Sequence, residues 1–235
     1  MRRFCAIVLM IVAGFAARAQ VVNLGSFDKQ KLHWGIQVGY TQSKFQFDCS
    51  EDPVIRAFSN GTTSYYQAGF HIAVLGDLRL SRYVNARLTP GLTLVNRGIN
   101  YWWNDQFMAQ HPRAENYRMV ESVYGEIPFD LKFRAHRWRN FRPYLTAGTS
   151  YGFDFASLRN NRNNDNQSIV RLNTSDFRYT TGVGFDFYLR YVKFAIEMRM
   201  SFGQSDLLIE DTDLYTLSVN DLHTRTFMLS FTFEG

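Results

Sequence analysis

The chain has 235 residues, of which 46% are hydrophobic and 16% aromatic, and its formal net charge is +5. Arg2, Arg3 and Arg18 supply three of these charges, so residues 20–235 carry only +2. The basic residues are spread along the chain instead of forming one run, which excludes nucleic acid as an expected partner.

The first 19 residues have the pattern of a secretory signal peptide. Arg2 and Arg3 precede the uncharged segment 4–15, and Ala17-Arg18-Ala19 fits a small-x-small cleavage site. We therefore expect residues 1–19 to be removed and residues 20–235 to form one domain. Cys49 is then the only cysteine, which excludes an intramolecular disulfide and a metal–thiolate cluster. Since no other segment approaches eighteen uninterrupted apolar residues, no membrane-spanning helix is expected.

Most of the remaining chain alternates apolar and polar residues with period two, which is typical of β-strands. The clearest example is a hairpin, in which Ile127, Phe129 and Leu131 alternate with Glu126, Asp130 and Lys132. Eight strands are predicted in this way, at residues 32–40, 64–75, 84–94, 121–133, 141–154, 176–189, 192–202 and 224–233.

The connections between these strands alternate between long and short. The long segments are 41–63, 96–117, 156–175 and 203–223, and the short links are 76–83, 135–140 and 190–191. This asymmetry predicts an all-β protein, a transmembrane eight-stranded antiparallel up-and-down β-barrel with long external loops and short periplasmic turns. Pro90 and Pro128 fall inside strands, where we expect local bulges or strand ends that fall earlier than the pattern places them.

Period two does not say which face meets lipid, and a soluble lipocalin-type barrel would place the apolar face inside. Large apolar residues dominate one face of all eight strands, whereas the other face is rich in glycine, which favours lipid outside. The charges of the polar face are nearly balanced, as a filled interior requires. They form a predicted lumen charge network of Arg87, Lys132, Arg142, Arg178, Lys193 and Arg199 with Glu126, Asp130, Asp154, Asp186 and Glu197. A proton or ion path through a narrow pore is the alternative interpretation of these charges.

Catalysis has weak support in the sequence. His111 and Ser122, with a loop carboxylate, are the best candidates for an acyl-transfer triad, but nothing orders them. No histidine pair has a metal-ligand spacing and no glycine-rich phosphate loop is present. We therefore expect no enzymatic activity, no catalytic residue, no metal and no cofactor. Trp102 and Trp103 are interpreted as an interface belt or as partner contacts.

With the strands placed, the sequence resembles the PorT (also SprT) family of outer-membrane proteins. The resemblance covers most of residues 20–235. It is carried by the stretches Lys31-Leu32-His33-Trp34-Gly35, Leu75-Gly76-Asp77-Leu78-Arg79-Leu80, Leu88-Thr89-Pro90-Gly91-Leu92, Glu121-Ser122 through Ile127-Pro128 to Leu131-Lys132, and Arg142-Pro143-Tyr144-Leu145.

The resemblance implies a non-enzymatic part in protein export by the type IX secretion system. It implies location in the cell outer membrane, contact with outer-membrane lipid, and other secretion-system proteins as partners. External loops, the lipid face, or basic periplasmic turns could make the contacts, and the turn residues concerned are Arg79, Arg82, Arg134, Arg137 and Arg139. These turns could equally meet anionic headgroups. The alternative is a generic structural or adhesion barrel that acts through its external loops.

Overall fold

The computed structural model describes residues 22–49, 59–104, 109, 116–155, 173–207 and 219–235. The expected signal peptide lies outside the described residues. A short 3-10 helix, Phe27–Lys29, precedes nine strands. The strands are β1 (Leu32–Cys49), β2 (Ser59–Arg79), β3 (Val84–Leu88), β4 (Gly91–Trp103), β5 (Tyr117–Arg134), β6 (Phe141–Asp154), β7 (Ser175–Tyr188), β8 (Lys193–Gly203) and β9 (Val219–Glu234). Within these residues, no helix is long and apolar enough to cross a membrane.

The strands form one closed ring in which every pairing is antiparallel. Each strand pairs with its neighbours in sequence, and β1 closes the ring by pairing with β9, with Val38 opposite Phe231. β3 and β4 both lie between β2 and β5, so they are two parts of one strand and the ring has eight positions. The predicted eight-stranded up-and-down barrel is therefore confirmed.

The interruption between β3 and β4 lies at Thr89 and Pro90. Thr89 donates its N–H to the Pro128 carbonyl, but Pro128 has no N–H to return the bond. In the same way Val74 donates its N–H to the Pro90 carbonyl, and Pro90 has no N–H to donate in return. Pairing resumes in register on both sides of the break, so neither proline forms a bulge. At Pro90 the expected alternative is confirmed, because β3 ends earlier, at Leu88. A register shift lies instead in β2, between Tyr66 and Phe70.

The strands extend further toward the long-loop end than the sequence pattern indicated. β1 continues past Tyr40 to Cys49, β4 past Leu94 to Trp103, and β9 begins at Val219. Much of the two connections predicted at 41–63 and 96–117 is therefore strand. The apolar–polar contrast fades there because the outer face carries polar residues such as Gln42 and Lys44, while the backbone ladder continues.

The two faces of the barrel wall differ in polarity as the alternation predicts. Outward side chains are large, apolar and exposed, as Trp34 at 62% and Leu145 at 59% illustrate. Inward side chains are buried and mostly polar, and Arg87, Lys132 and Glu197 are each 0% exposed. A lipocalin-type interior would require the opposite arrangement, since its apolar face lines the cavity.

Two inward glycines make room for tyrosine rings inside the barrel. Tyr144 lies over Gly184 on the neighbouring strand, where a Cβ would come within 2.3 Å of the ring. A Cβ on Gly152 would lie 3.3 Å from the Tyr124 ring, a tight contact but not an overlap. At position 184 a side chain would overlap the Tyr144 ring, so glycine is needed there.

Candidate functional site

The candidate site is the lumen itself, which is filled by charged side chains. Eight cationic and seven anionic side chains are buried among the described residues. Glu126, whose side chain is 11% exposed, adds an eighth carboxylate. All nine of the following predicted residues lie inside: Arg87, Glu126, Asp130, Lys132, Arg142, Arg178, Asp186, Glu197 and Arg199.

Arg87 is the centre of the periplasmic half of the lumen. Its guanidinium lies 3.2 Å from Asp77, 3.0 Å from Glu197 and 3.3 Å from Glu234, which come from three other strands. The Tyr144 hydroxyl donates to Glu197 at 2.8 Å. Burying one guanidinium among three carboxylates is tolerable because each carboxylate is paired, and Lys193 pairs with Glu234 as well.

Two further ion pairs lie beside this cluster. Lys132 reaches Asp186 at 2.8 Å, and its ammonium also lies 3.7 Å from the centre of the Tyr144 ring. Arg199 bridges Asp130 at 2.8 Å and Glu197 at 2.9 Å. The pairs therefore run from strand to strand and connect opposite parts of the wall.

The external half of the lumen has its own pairs. Arg178 binds Asp176 at 2.7 Å and Glu126 at 2.5 Å. Arg97 donates to Ser122 at 2.6 Å and to Thr224 at 2.8 Å, and lies 3.8 Å from Asp154. A cavity of about 20 Å³ beside His71 and Glu126 has room for a single water molecule.

The segment before β1 closes the periplasmic end of the lumen. Phe27 is buried and stacks on His33 with ring centres 3.8 Å apart. Asp28 accepts hydrogen bonds from Arg142 at 2.9 Å, Arg137 at 3.2 Å and Tyr188 at 3.0 Å. We call residues 22–31 the N-terminal plug, since their contacts cross the barrel mouth.

The partners of Asp28 lower the pKa of its carboxyl. Burial alone would raise that pKa, but Arg142, Arg137, Tyr188 and Arg134 outweigh burial and hold it below its usual value of 3.8. Because the folded pKa is lowered, the stabilising contribution is complete above pH 3.8 and is lost as the pH falls through the lowered value.

We therefore expect acid to release the N-terminal plug. The backbone amides of Phe27, Lys29 and Gln30 donate hydrogen bonds within the plug, and their hydrogen-exchange protection should hold at neutral pH and fall below pH 3.8. Asp28→Asn has no charge to titrate and should show weak protection at every pH. Protection that stays unchanged in acid, or in Asp28→Asn, would contradict the role of Asp28.

The residues predicted to make external or partner contacts are not all available for them. Trp102 faces outward and is 56% exposed, whereas Trp103 faces the lumen and stacks on Tyr101 at 5.4 Å. Neighbouring residues of one strand point to opposite faces, so the external contact predicted for Trp103 is wrong. Arg134 is also turned inward, 5% exposed and 3.4 Å from Asp28.

Arg137 and Arg139, in the turn between β5 and β6, lie at the periplasmic surface. Arg137 is half-buried and reaches Asp28 at 3.2 Å, while Arg139 is exposed.

The two residues considered for acyl transfer do not form a described site. Ser122 is buried and accepts a hydrogen bond from Arg97, while His111 lies outside the described residues. In the part of the chain that the structure describes, no group of three or more His, Cys, Asp or Glu side chains could hold a metal ion.

Several lumen residues were missed by the sequence pattern. Asp77 and Arg97 fall in predicted connections, although each continues the inward alternation of the strand before it. Glu234 follows the last predicted strand by one residue, and Asp176 was the first residue of its strand. Asp28 has no periodic signal, since it belongs to the plug and not to the wall.

A closed ring of antiparallel strands, apolar outside and filled with paired charges, defines an outer-membrane β-barrel protein. The chain belongs to the family described as Outer membrane protein beta-barrel domain, which matches residues 19–208. Its place is therefore the cell outer membrane, as predicted.

The chain is also similar to several solved structures. Ail of Yersinia pestis, solved with the heparin analogue sucrose octasulfate, is 13% identical with a TM-score of 0.39, covering 88% of this chain and 100% of that one. OprG from Pseudomonas aeruginosa is 13% identical with a TM-score of 0.45, covering 87% and 94%. Neisserial surface protein A is 8% identical with a TM-score of 0.42, covering 85% and 95%. No curated protein matches the chain in sequence.

Proposed function

We propose that this barrel is a non-enzymatic accessory component of a type IX protein secretion system. In this proposal it assists the export of cargo proteins across the outer membrane by binding other secretion-system proteins. The proposal rests on the resemblance to the PorT family, and the arrangement of the stretches that carry that resemblance supports it.

These stretches lie side by side on neighbouring strands, mostly in the periplasmic half of the wall. Leu32 of β1 is opposite Leu78 of β2, and Gly76 of β2 is opposite Leu88 of β3. Leu88 of β3 is opposite Phe129 of β5, and Lys132 of β5 is opposite Thr146, which follows Leu145 on β6. Stretches that are far apart in sequence therefore make one continuous surface.

The outer side of this surface carries a shallow apolar groove of about 290 Å³. Trp34, Leu88 and Phe129 line it, together with Gly76, whose missing side chain deepens it. A groove at this position suits a large apolar side chain or an apolar membrane segment of a partner. The filled lumen adds a second argument, since a barrel closed by paired charges has to act through its surfaces.

The proposal is tested by complementing a deletion strain. We expect cargo to remain in the periplasm of the deletion strain and to be exported to the medium when the native chain is supplied. Gly76→Phe on β2 fills the groove and should restore export poorly. Ala147→Phe places the same side chain on the outer face of β6, outside the groove, and should restore export fully at equal membrane levels. Normal export in the deletion strain would overturn the proposed function. Equal export by both variants would exclude the groove as the contact.

A further inference from the structure

The periplasmic mouth contains a basic cleft whose charges are not balanced. The cleft has a volume of about 300 Å³ and lies between the N-terminal plug, the β2–β3 turn and the β5–β6 turn. Six cationic side chains line it: Lys29, Arg79, Arg82, Arg134, Arg137 and Arg142. Asp28 is the only carboxylate among the described residues that line it.

This excess of cations contrasts with the rest of the described lumen, where six buried cations meet eight carboxylates. Arg134, Arg137 and Arg142 all share Asp28. A single carboxylate carries one negative charge, so three guanidinium groups around it leave a surplus of two before the other cations are considered. Converging, partly desolvated cations are unfavourable unless an anion joins them.

The cleft also has unused hydrogen-bond donors. Arg134 is 5% exposed, and its Nε is buried without a hydrogen-bond partner. Lys29 and Arg82 are exposed and form no ion pair with any described residue. Arg79 donates to the Asp28 backbone carbonyl and to that of Ser81, so it too has no carboxylate partner there. Guanidinium groups in this number match the oxygens of a phosphate-type anion.

We propose that this cleft binds a phosphate-type oxyanion at the periplasmic face of the barrel. Arg79, Arg82 and Lys29 supply the accessible donors, and Arg134 and Arg142, held by Asp28, form the floor. The volume fits a small ligand or one headgroup, since pockets for small molecules start at about 300 Å³. The anion has two sources of the same chemistry, a soluble phosphate compound or the phosphate of an anionic lipid. This inference is independent of any part in secretion.

The test is calorimetric titration of the full-length barrel, in a maltoside detergent, with inorganic phosphate and pyrophosphate. We expect saturable binding that Arg79→Gln/Arg82→Gln weakens at least about tenfold, the effect of losing one charge-assisted contact or more. Lys29→Gln should weaken it in the same direction, and this side chain is exposed, so its loss leaves the fold intact. The matched control is Arg190→Gln, an exposed arginine in the neighbouring β7–β8 turn outside the cleft, which should leave affinity within about twofold.

The source of the anion is decided by repeating the titration in vesicles. If phosphatidylglycerol added to phosphatidylcholine vesicles competes with pyrophosphate, the lipid headgroup is the occupant; if it does not, the occupant is soluble. The absence of saturable binding in the native protein would overturn the proposal. Equal affinity in the cleft variants and in Arg190→Gln would do so as well, because it would show nonspecific attraction.

Discussion

Arg87→Met is expected to lower the free energy of unfolding by about 3–5 kcal/mol, the usual cost of removing one partner from a buried charge cluster. Methionine preserves the apolar stem and nearly the volume but removes the guanidinium that contacts Asp77, Glu197 and Glu234 together. Lys193 and Arg199 still pair with two of these carboxylates, so the main loss falls on Asp77. Urea unfolding in lipid vesicles, followed by tryptophan fluorescence, measures the change.

A second substitution separates charge from packing at this cluster. Asp77→Asn in the Arg87→Met background removes the unpaired carboxylate and should recover part of the lost stability. Arg190→Met, in an exposed turn, is the matched control and should change stability by less than about 0.5 kcal/mol. If Arg87→Met unfolds at the same urea concentration as the native protein, Arg87 does not hold the lumen together.

Phe129→Arg is expected to destabilise the barrel in lipid by about 2–4 kcal/mol, because the charge would lie near the bilayer midplane. Phe129 is 51% exposed and lies in an outward series on β5 that runs from Val123 to Phe133. Met119→Arg, on the same strand and face but near its external end, should cost only about 0–1 kcal/mol. The comparison introduces the same side chain at two depths.

The urea midpoint of each variant, refolded into phosphatidylcholine vesicles, measures this difference. Equal costs at positions 119 and 129 would show that the outward face of β5 does not cross the hydrocarbon core.

The wall of the barrel could be predicted from the sequence because it depends on local alternation. β6 matched its predicted range, and β7 and β8 matched theirs to within a residue. Wherever one face meets lipid and the other a polar lumen, each residue carries a clear signal. That signal disappears in the external parts of β1 and β4, since both faces there tolerate polar residues, and the predicted strands ended too early.

The interior was predictable as a set of inward charges but not as a set of pairs. Which carboxylate meets Arg87 depends on register and on the approach of strands across the lumen, and Glu197 and Glu234 are more than 100 residues away. The N-terminal plug was not predicted at all. Asp28 is not part of a strand, so no alternation marks it. Its role as an ion-pair partner depends on the β5–β6 turn, which brings Arg137 and Arg142 to the periplasmic mouth of the barrel.

The central claim, that paired charges and the N-terminal plug close this outer-membrane barrel, is tested most directly by conductance in planar lipid bilayers. We expect the refolded protein to insert without stepwise current above that of the bare bilayer, since ion pairs cross the lumen and the cavity of about 20 Å³ beside His71 has room for only one water. Reproducible conductance steps from the native protein at neutral pH would contradict a closed lumen.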